Sequence, residues 1–104
     1  METSGWIDSN AVPALGLTLQ SLTPPLAGSF GLPPRTRGVA IAEVAPGSPG
    51  ARAGLRAGDV ILDVDRRPVA SAQDASRTIG GAMPHLLRVF DREGIRFVTV
   101  SGAG

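Results

Sequence analysis

Glycine and proline interrupt this chain so often that no long helix can run through it: 14 Gly and 9 Pro fall among 104 residues. Glycine weakens helix and strand interiors, and proline breaks both ladders, so only short elements joined by tight turns can form. The length holds one domain, too short for a trypsin-like catalytic core or a two-part dinucleotide enzyme. There is no cysteine, which excludes a disulfide scaffold and Cys-ligated zinc or iron–sulfur sites.

Between the breakers, apolar residues alternate. Leu15, Leu17 and Leu19 face one way and Gly16, Thr18 and Gln20 the other, predicting a half-buried strand over 15–22 that Thr23-Pro24-Pro25 ends. A helical turn is expected within 26–32. A second strand, 38–44, precedes the turn Pro46-Gly47. Ser48 then caps a short helix 49–53, with Pro49 in its first position and Gly54 stopping it. A strand over 60–64 follows, and Asp65-Arg66 turns the chain. Helix 71–80 starts at Ser71, with Asp74 three residues on in an approximate capping box, and stops at Gly80-Gly81. Its Ala72, Ala75, Ser76 and Ile79 share one face. Strands 86–90 and 95–100 form a closing hairpin about Gly94. The sum is a mainly β domain with two helices, a partly open five- to six-stranded barrel or sandwich. It occupies residues 14–101, after a leading linker 1–13 and before a tail 102–104.

Charge narrows the function. All ten basic residues are Arg, but nine acidic residues leave a net +1, too balanced for a nucleic-acid binder. No window approaches the ~18 apolar residues of a transmembrane helix, and residues 1–10 lack the basic start and apolar run of a signal peptide. His85 is the only histidine. It has no acidic neighbour within three residues and no nucleophile elbow to serve, so it reads as structural, and no catalytic residue is expected. Asp59, Asp63 and Asp65 are interleaved with core residues rather than set in a calcium loop, and read as a solvated strand face, so no metal or other cofactor is expected. No phosphate-binding glycine motif occurs.

One physical feature remains. Ala14-Leu15-Gly16-Leu17 sets a glycine among apolar residues at the entry to a strand, where successive N–H groups can form an anion-binding concavity. If that strand is a sheet edge beside helix 72–79, the two bound an apolar groove. A peptide can enter it as an added strand with its terminal carboxylate on the N–H cluster.

The stretch GVAIAEVAPGSPGARAGLRAGDVIL, residues 38–62, closely resembles the PDZ domains of bacterial HtrA/Deg serine proteases, whose pattern is GVxVxxVxPGSPAxxAGLxxGDVI. LGLTLQSLTP, residues 15–24, is similar to their opening strand. Pro68-Val69 with Ser71–Asp74 is similar to the entry of their groove helix. The resemblance runs from about Leu15 to Val100. It implies a PDZ fold with the permuted bacterial chain order, and capture of apolar C-termini by strand addition. The carboxylate loop would be Ala14, Leu15, Gly16 and Leu17. The groove would be Thr18, Leu19, Gln20, Ala72, Ala75, Ser76 and Ile79, with Leu15, Leu17, Leu19 and Ile79 around the last side chain and Thr18 and Gln20 carrying the ladder. The implied partners are apolar peptides of unfolded proteins and a protease domain of the same parent chain, in the periplasm or cell envelope. Alternatives are the PDZ module of a site-2 metalloprotease or tail-specific protease, and a scaffold PDZ whose groove is covered. The sequence departs from the pattern in four places. Ala14 stands for a usual Gly or acidic residue. Ala72 stands for the histidine of many animal PDZ domains, leaving a broad apolar preference. Asp65-Arg66 stands for Asn-Gly. Gly50 stands for an alanine, at an expected cost of about 0.5–1 kcal/mol to the short helix.

Overall fold

The computed structural model describes residues 9–13, 15–79 and 84–100. Within them run seven strands and three helices. The strands are β1 Ser9–Val12, β2 Leu17–Ser21, β3 Val39–Val44, β4 Val60–Val64, β5 Arg67–Pro68, β6 His85–Asp91 and β7 Gly94–Val100. The helices are α1 Pro24–Ser29, α2 Pro49–Arg52 and α3 Ala72–Ile79. All pairings are antiparallel, in the order β1-β2-β3-β4-β6-β7, with β5 beside β4. The expected helix stop at Gly80-Gly81, Ala14 and the tail 102–104 lie outside the described residues.

Local chemistry explains most element boundaries. Thr23 caps α1, its hydroxyl accepting from the Leu26 N–H at 3.3 Å, with Pro24 in the first helical position. The helix therefore starts at the prolines that end β2, earlier than the turn expected over 26–32. Ser48 caps α2 by accepting from the Ala51 N–H at 3.1 Å, and Gly54 leaves the helix at φ +91°. In α3 the Ser71 hydroxyl accepts from the Asp74 N–H at 3.0 Å, and the Asp74 carboxylate reaches back to the Ala70 N–H at 3.4 Å. The box closes on the residue before the cap.

Two strands go beyond the sequence expectation. Ser9–Val12, expected in the leading linker, pair with β2 and form the sheet edge. The two-residue β5 folds back on β4 through Asp65-Arg66, with Val64 opposite Arg67. Both turn residues have positive φ, 51° and 70°, as a two-residue primed hairpin requires. Asp tolerates this conformation. Arg gains nothing from it and carries a Cβ penalty.

The core is one cluster between the sheet and α3. Leu17, Leu19, Ile41, Ile61, Val64, Leu87 and Val89 come from the sheet, and Ala72, Ala75 and Ile79 from the helix. The three aspartates do not form one solvated face. Asp59 is buried, accepting from the Arg56 N–H and from Arg96, and burial pushes its carboxyl up against those two opposing effects. Asp63 pairs with Arg88 across β4–β6, and Asp65 pairs with His85.

Relieving the turn tests this description. Arg66→Gly is expected to stabilise the domain by about 0.5–1 kcal/mol, the αL penalty partly offset by a more disordered unfolded chain. A urea midpoint that rises without a change of slope is the expected readout.

Candidate peptide groove

The loop between β1 and β2 reverses the chain within a few residues. Gly16 sits at φ +72°, and a Cβ built there would lie 2.2 Å from the Ser48 Cβ and 2.6 Å from its hydroxyl. Only glycine fits on both counts. The loop carbonyls are tied backward: Leu15 O accepts from the Gly50 N–H at 2.9 Å, and Gly16 O from the Ala45 N–H at 2.8 Å. The N–H groups of Leu15 and Gly16 both reach the Val12 carbonyl instead, at 3.0 and 2.9 Å, and that of Gly16 also lies 3.2 Å from the Pro13 carbonyl.

Gly50 now has a reason that helix propensity alone does not supply. A Cβ at this position would meet the Leu15 carbonyl at 2.9 Å and the Leu17 side chain at 2.7 Å. The expected loss of α2 stability relative to alanine is therefore offset by a close backbone approach, which seats the first turn of α2 directly behind the loop.

From the loop, β2 runs beneath α3. Leu17, Leu19 and Ser21 point inward, while Thr18 and Gln20 are half-buried on the opposite side. The pairing with β3 slips between Thr18 and Leu19, so Thr18 faces Glu43 and Leu19 faces Ile41. At the far end the buried Ser21 hydroxyl accepts from the Ala72 N–H at 2.8 Å, pinning the first turn of α3 to the strand. At the helix's other end His85 accounts for both ring nitrogens: Nδ1 lies 2.6 Å from the Asp65 carboxylate and Nε2 3.1 Å from the Ile79 carbonyl. The Asp65 carboxyl is held below the usual carboxylate range, first by the Leu86 N–H at 2.9 Å and then by His85.

The structure thus gathers Leu15, Leu17, Leu19, Ala72, Ala75 and Ile79 into one buried cluster, with Ser76 half-buried on the same helix. Thr18 and Gln20 already have backbone partners on β1, Ala11 and Ser9. Ala14 lies outside the described residues. Sequence reasoning passed over Val12 and Ser21. The first is buried in the same cluster, and the second links strand to helix. Val12-Pro13 just ahead of Leu-Gly is the one local hint of the former: an apolar residue at the mouth of a turn.

A sheet with a short helix behind a glycine loop and a longer helix beside the strand that leaves it is the architecture of a PDZ domain. The family model described as PDZ domain matches residues 41–89. Among curated proteins, a probable periplasmic serine endoprotease DegP-like of Chlamydia pneumoniae is 37% identical over 93 residues, covering 88% of this chain and 19% of that protein. The protein of the same description from Halomonas elongata is 43% identical over 70 residues, covering 67% of this chain and 15% of its own length. Among solved structures, the HtrA3 PDZ domain bound to a phage-derived ligand, FGRWV, superposes with a TM-score of 0.75 at 27% identity, covering 86% of this chain and 83% of that one. The HtrA-type protease AlgW with a decapeptide gives 0.71 at 30%, covering 84% of this chain and 27% of its own. The chain belongs to the PDZ domains of the HtrA/DegP type. It spans about a fifth of the length of the curated relative from Chlamydia pneumoniae. No helix among the described residues is long and apolar enough to cross a membrane.

Three substitutions test the loop and the helix ends. Gly16→Ala is expected to cost at least about 2 kcal/mol, from backbone strain and the Ser48 clash together, and Gly50→Ala about 1–3 kcal/mol from overpacking, both read as shifts in denaturation midpoint. Asp65 supplies a signed pH dependence. Its folded-state pKa lies below the unfolded value near ~3.9, so its contribution is full above that value and is lost as the pH falls through the folded pKa. Asp65→Asn is expected to be less stable at neutral pH, and to lose less stability than the wild type between about pH 5 and pH 3. Parallel midpoint-against-pH curves for the two proteins would contradict this.

Proposed function

We propose that this domain is a non-catalytic peptide-binding module that captures apolar C-termini along β2 for a serine endopeptidase domain of a longer parent chain in the periplasm. The terminal carboxylate is held by the N–H groups of Leu15, Gly16 and Leu17. The last side chain enters the space among Leu15, Leu17, Leu19 and Ile79, and the peptide backbone pairs with Thr18 and Gln20. Ala72, Ala75 and Ser76 line the helix side.

The observation that supports this reading most is the convergence of the Leu15 and Gly16 N–H groups on the Val12 carbonyl, next to the buried apolar cluster that β2 and α3 share. A carboxylate oxygen suits the same two donors, and bonds to an ionised acceptor are about twice as strong as neutral ones. The peptides in the HtrA3 and AlgW structures support it from the family side, and the periplasmic names of the curated relatives support the compartment. One carboxylate cluster and one apolar pocket correspond to roughly micromolar affinity, about −8 kcal/mol. A scaffold PDZ with a permanently covered groove is the second reading, favoured by the pairing of β1 with β2.

The expected result is that FGRWV as a free acid shifts the backbone amide signals of Leu15 to Leu19, and that the same peptide as a C-terminal amide binds at least roughly tenfold more weakly, the equivalent of about 1.4 kcal/mol. Equal binding of acid and amide would remove the carboxylate loop from the reading. No response at Leu15–Leu19 would favour the scaffold.

A further inference from the structure

The space between β2 and α3 already holds a strand. β1 runs antiparallel to β2 with Ser9 opposite Gln20, Asn10 opposite Leu19, Ala11 opposite Thr18 and Val12 opposite Leu17. Helix α3 packs more extensively on β1 than on any other strand. Val12 is 3% exposed, in the same cluster as Leu15, Leu17, Leu19 and Ile79. Its carbonyl takes the converging N–H groups of Leu15 and Gly16.

Direction, register and end point therefore match what the proposed groove asks of an added peptide. The strand travels toward the loop, its last side chain fills the apolar pocket, and its last carbonyl occupies the N–H pair. We propose that Ser9–Val12 is a built-in occupant of the groove, an intramolecular peptide analogue that a C-terminal ligand must displace, with Val12 standing where the ligand's last residue goes. The proposal rests on the reading of β2 and α3 as a peptide groove.

The occupant is built to be displaced. It is four residues long and lies at the sheet edge. Ala11 is exposed, so of its two carboxy-terminal residues only Val12 is buried. It offers the loop one neutral carbonyl, whereas a free C-terminus brings a charge and a second oxygen. Pro13, next in the chain, has no N–H to add. The occupant also defines the ligand class. Val12 is buried in one apolar cluster with Leu15, Leu17, Leu19 and Ile79, surroundings that suit a C-terminal valine or an aliphatic residue of similar size and resist a charged one.

A tethered occupant competes by mass action. The apparent affinity for a peptide is reduced by the fraction of molecules whose groove is open. A short tether holds its segment at an effective concentration on the order of millimolar. An occupant that lacks the terminal charge and binds roughly ten- to a hundredfold more weakly than a micromolar free C-terminus then weakens peptide binding in the intact chain by roughly ten- to a hundredfold.

The test measures the Kd of fluorescein-labelled FGRWV free acid by anisotropy for three proteins: the intact chain, a chain lacking residues 1–12, and Val12→Asp in the intact chain, which sets a charge against the apolar pocket. Both altered proteins are expected to bind at least roughly tenfold tighter than the intact chain. Binding that is equal or weaker in both overturns the occupant and leaves the groove standing. Absence of binding in all three overturns the groove itself, and the occupant with it. If either variant fails to fold by circular dichroism, the intact chain decides alone. As FGRWV saturates it, the amide signals of Asn10, Ala11 and Val12 should move to unfolded-chain values in step with the shifts of Leu15 and Gly16. Retention of strand values at saturation overturns the proposal.

Discussion

The reversal of the chain between Val12 and Gly16 is the constraint on which the rest of the site depends. It is closed by two N–H groups on one carbonyl and requires a left-handed glycine pressed against Ser48. Because the carbonyls of Leu15 and Gly16 are tied to Gly50 and Ala45, the loop cannot turn over. The short helix α2 is thus less a fold element in its own right than a backing plate, and Gly50 is the residue that lets it come close enough.

Helix α3 is fixed at both ends by polar contacts. Ser21 holds the first turn of α3 to β2, and His85 holds the last carbonyl of α3 while gripping Asp65 at the β4–β5 turn. Between them the helix presents small side chains, Ala72 and Ala75, to the strand side. Small residues let a backbone strand fit between helix and sheet. In this chain that space is taken by Ser9–Val12.

Much of this was legible locally. The Ser48-Pro49 start of α2, the Ser71–Asp74 cap of α3, the left-handed exits at Gly54 and Gly94, and the alternation of Leu15, Leu17 and Leu19 are short-range signals, each set by a backbone requirement within a few residues. The burial of Leu15, Leu17, Leu19 and Ile79 was readable for the same reason. The contacts that escaped span long separations: Ser21 with Ala72, Asp65 with His85, Gly50 with Leu15. Nothing near Ser21 marks its hydroxyl as a helix anchor, and nothing near His85 marks an acid twenty residues away. Gly50 shows the limit most clearly. Judged by helix propensity it is a defect, and judged by what lies behind it, a necessity.

The sequence by itself determined the class of fold, the short elements and their caps, and the presence of a glycine turn beside an apolar strand, because these obey local sterics and periodicity. Only the tertiary structure decided what lies against that strand. The segment 9–12 is too polar and too short to declare itself as a strand, and it becomes one because β2 offers unpaired backbone groups and α3 covers Val12. A β-strand's identity rests on its partner as much as on its residues. The edge of this sheet therefore could not be known until the chain had folded back onto it.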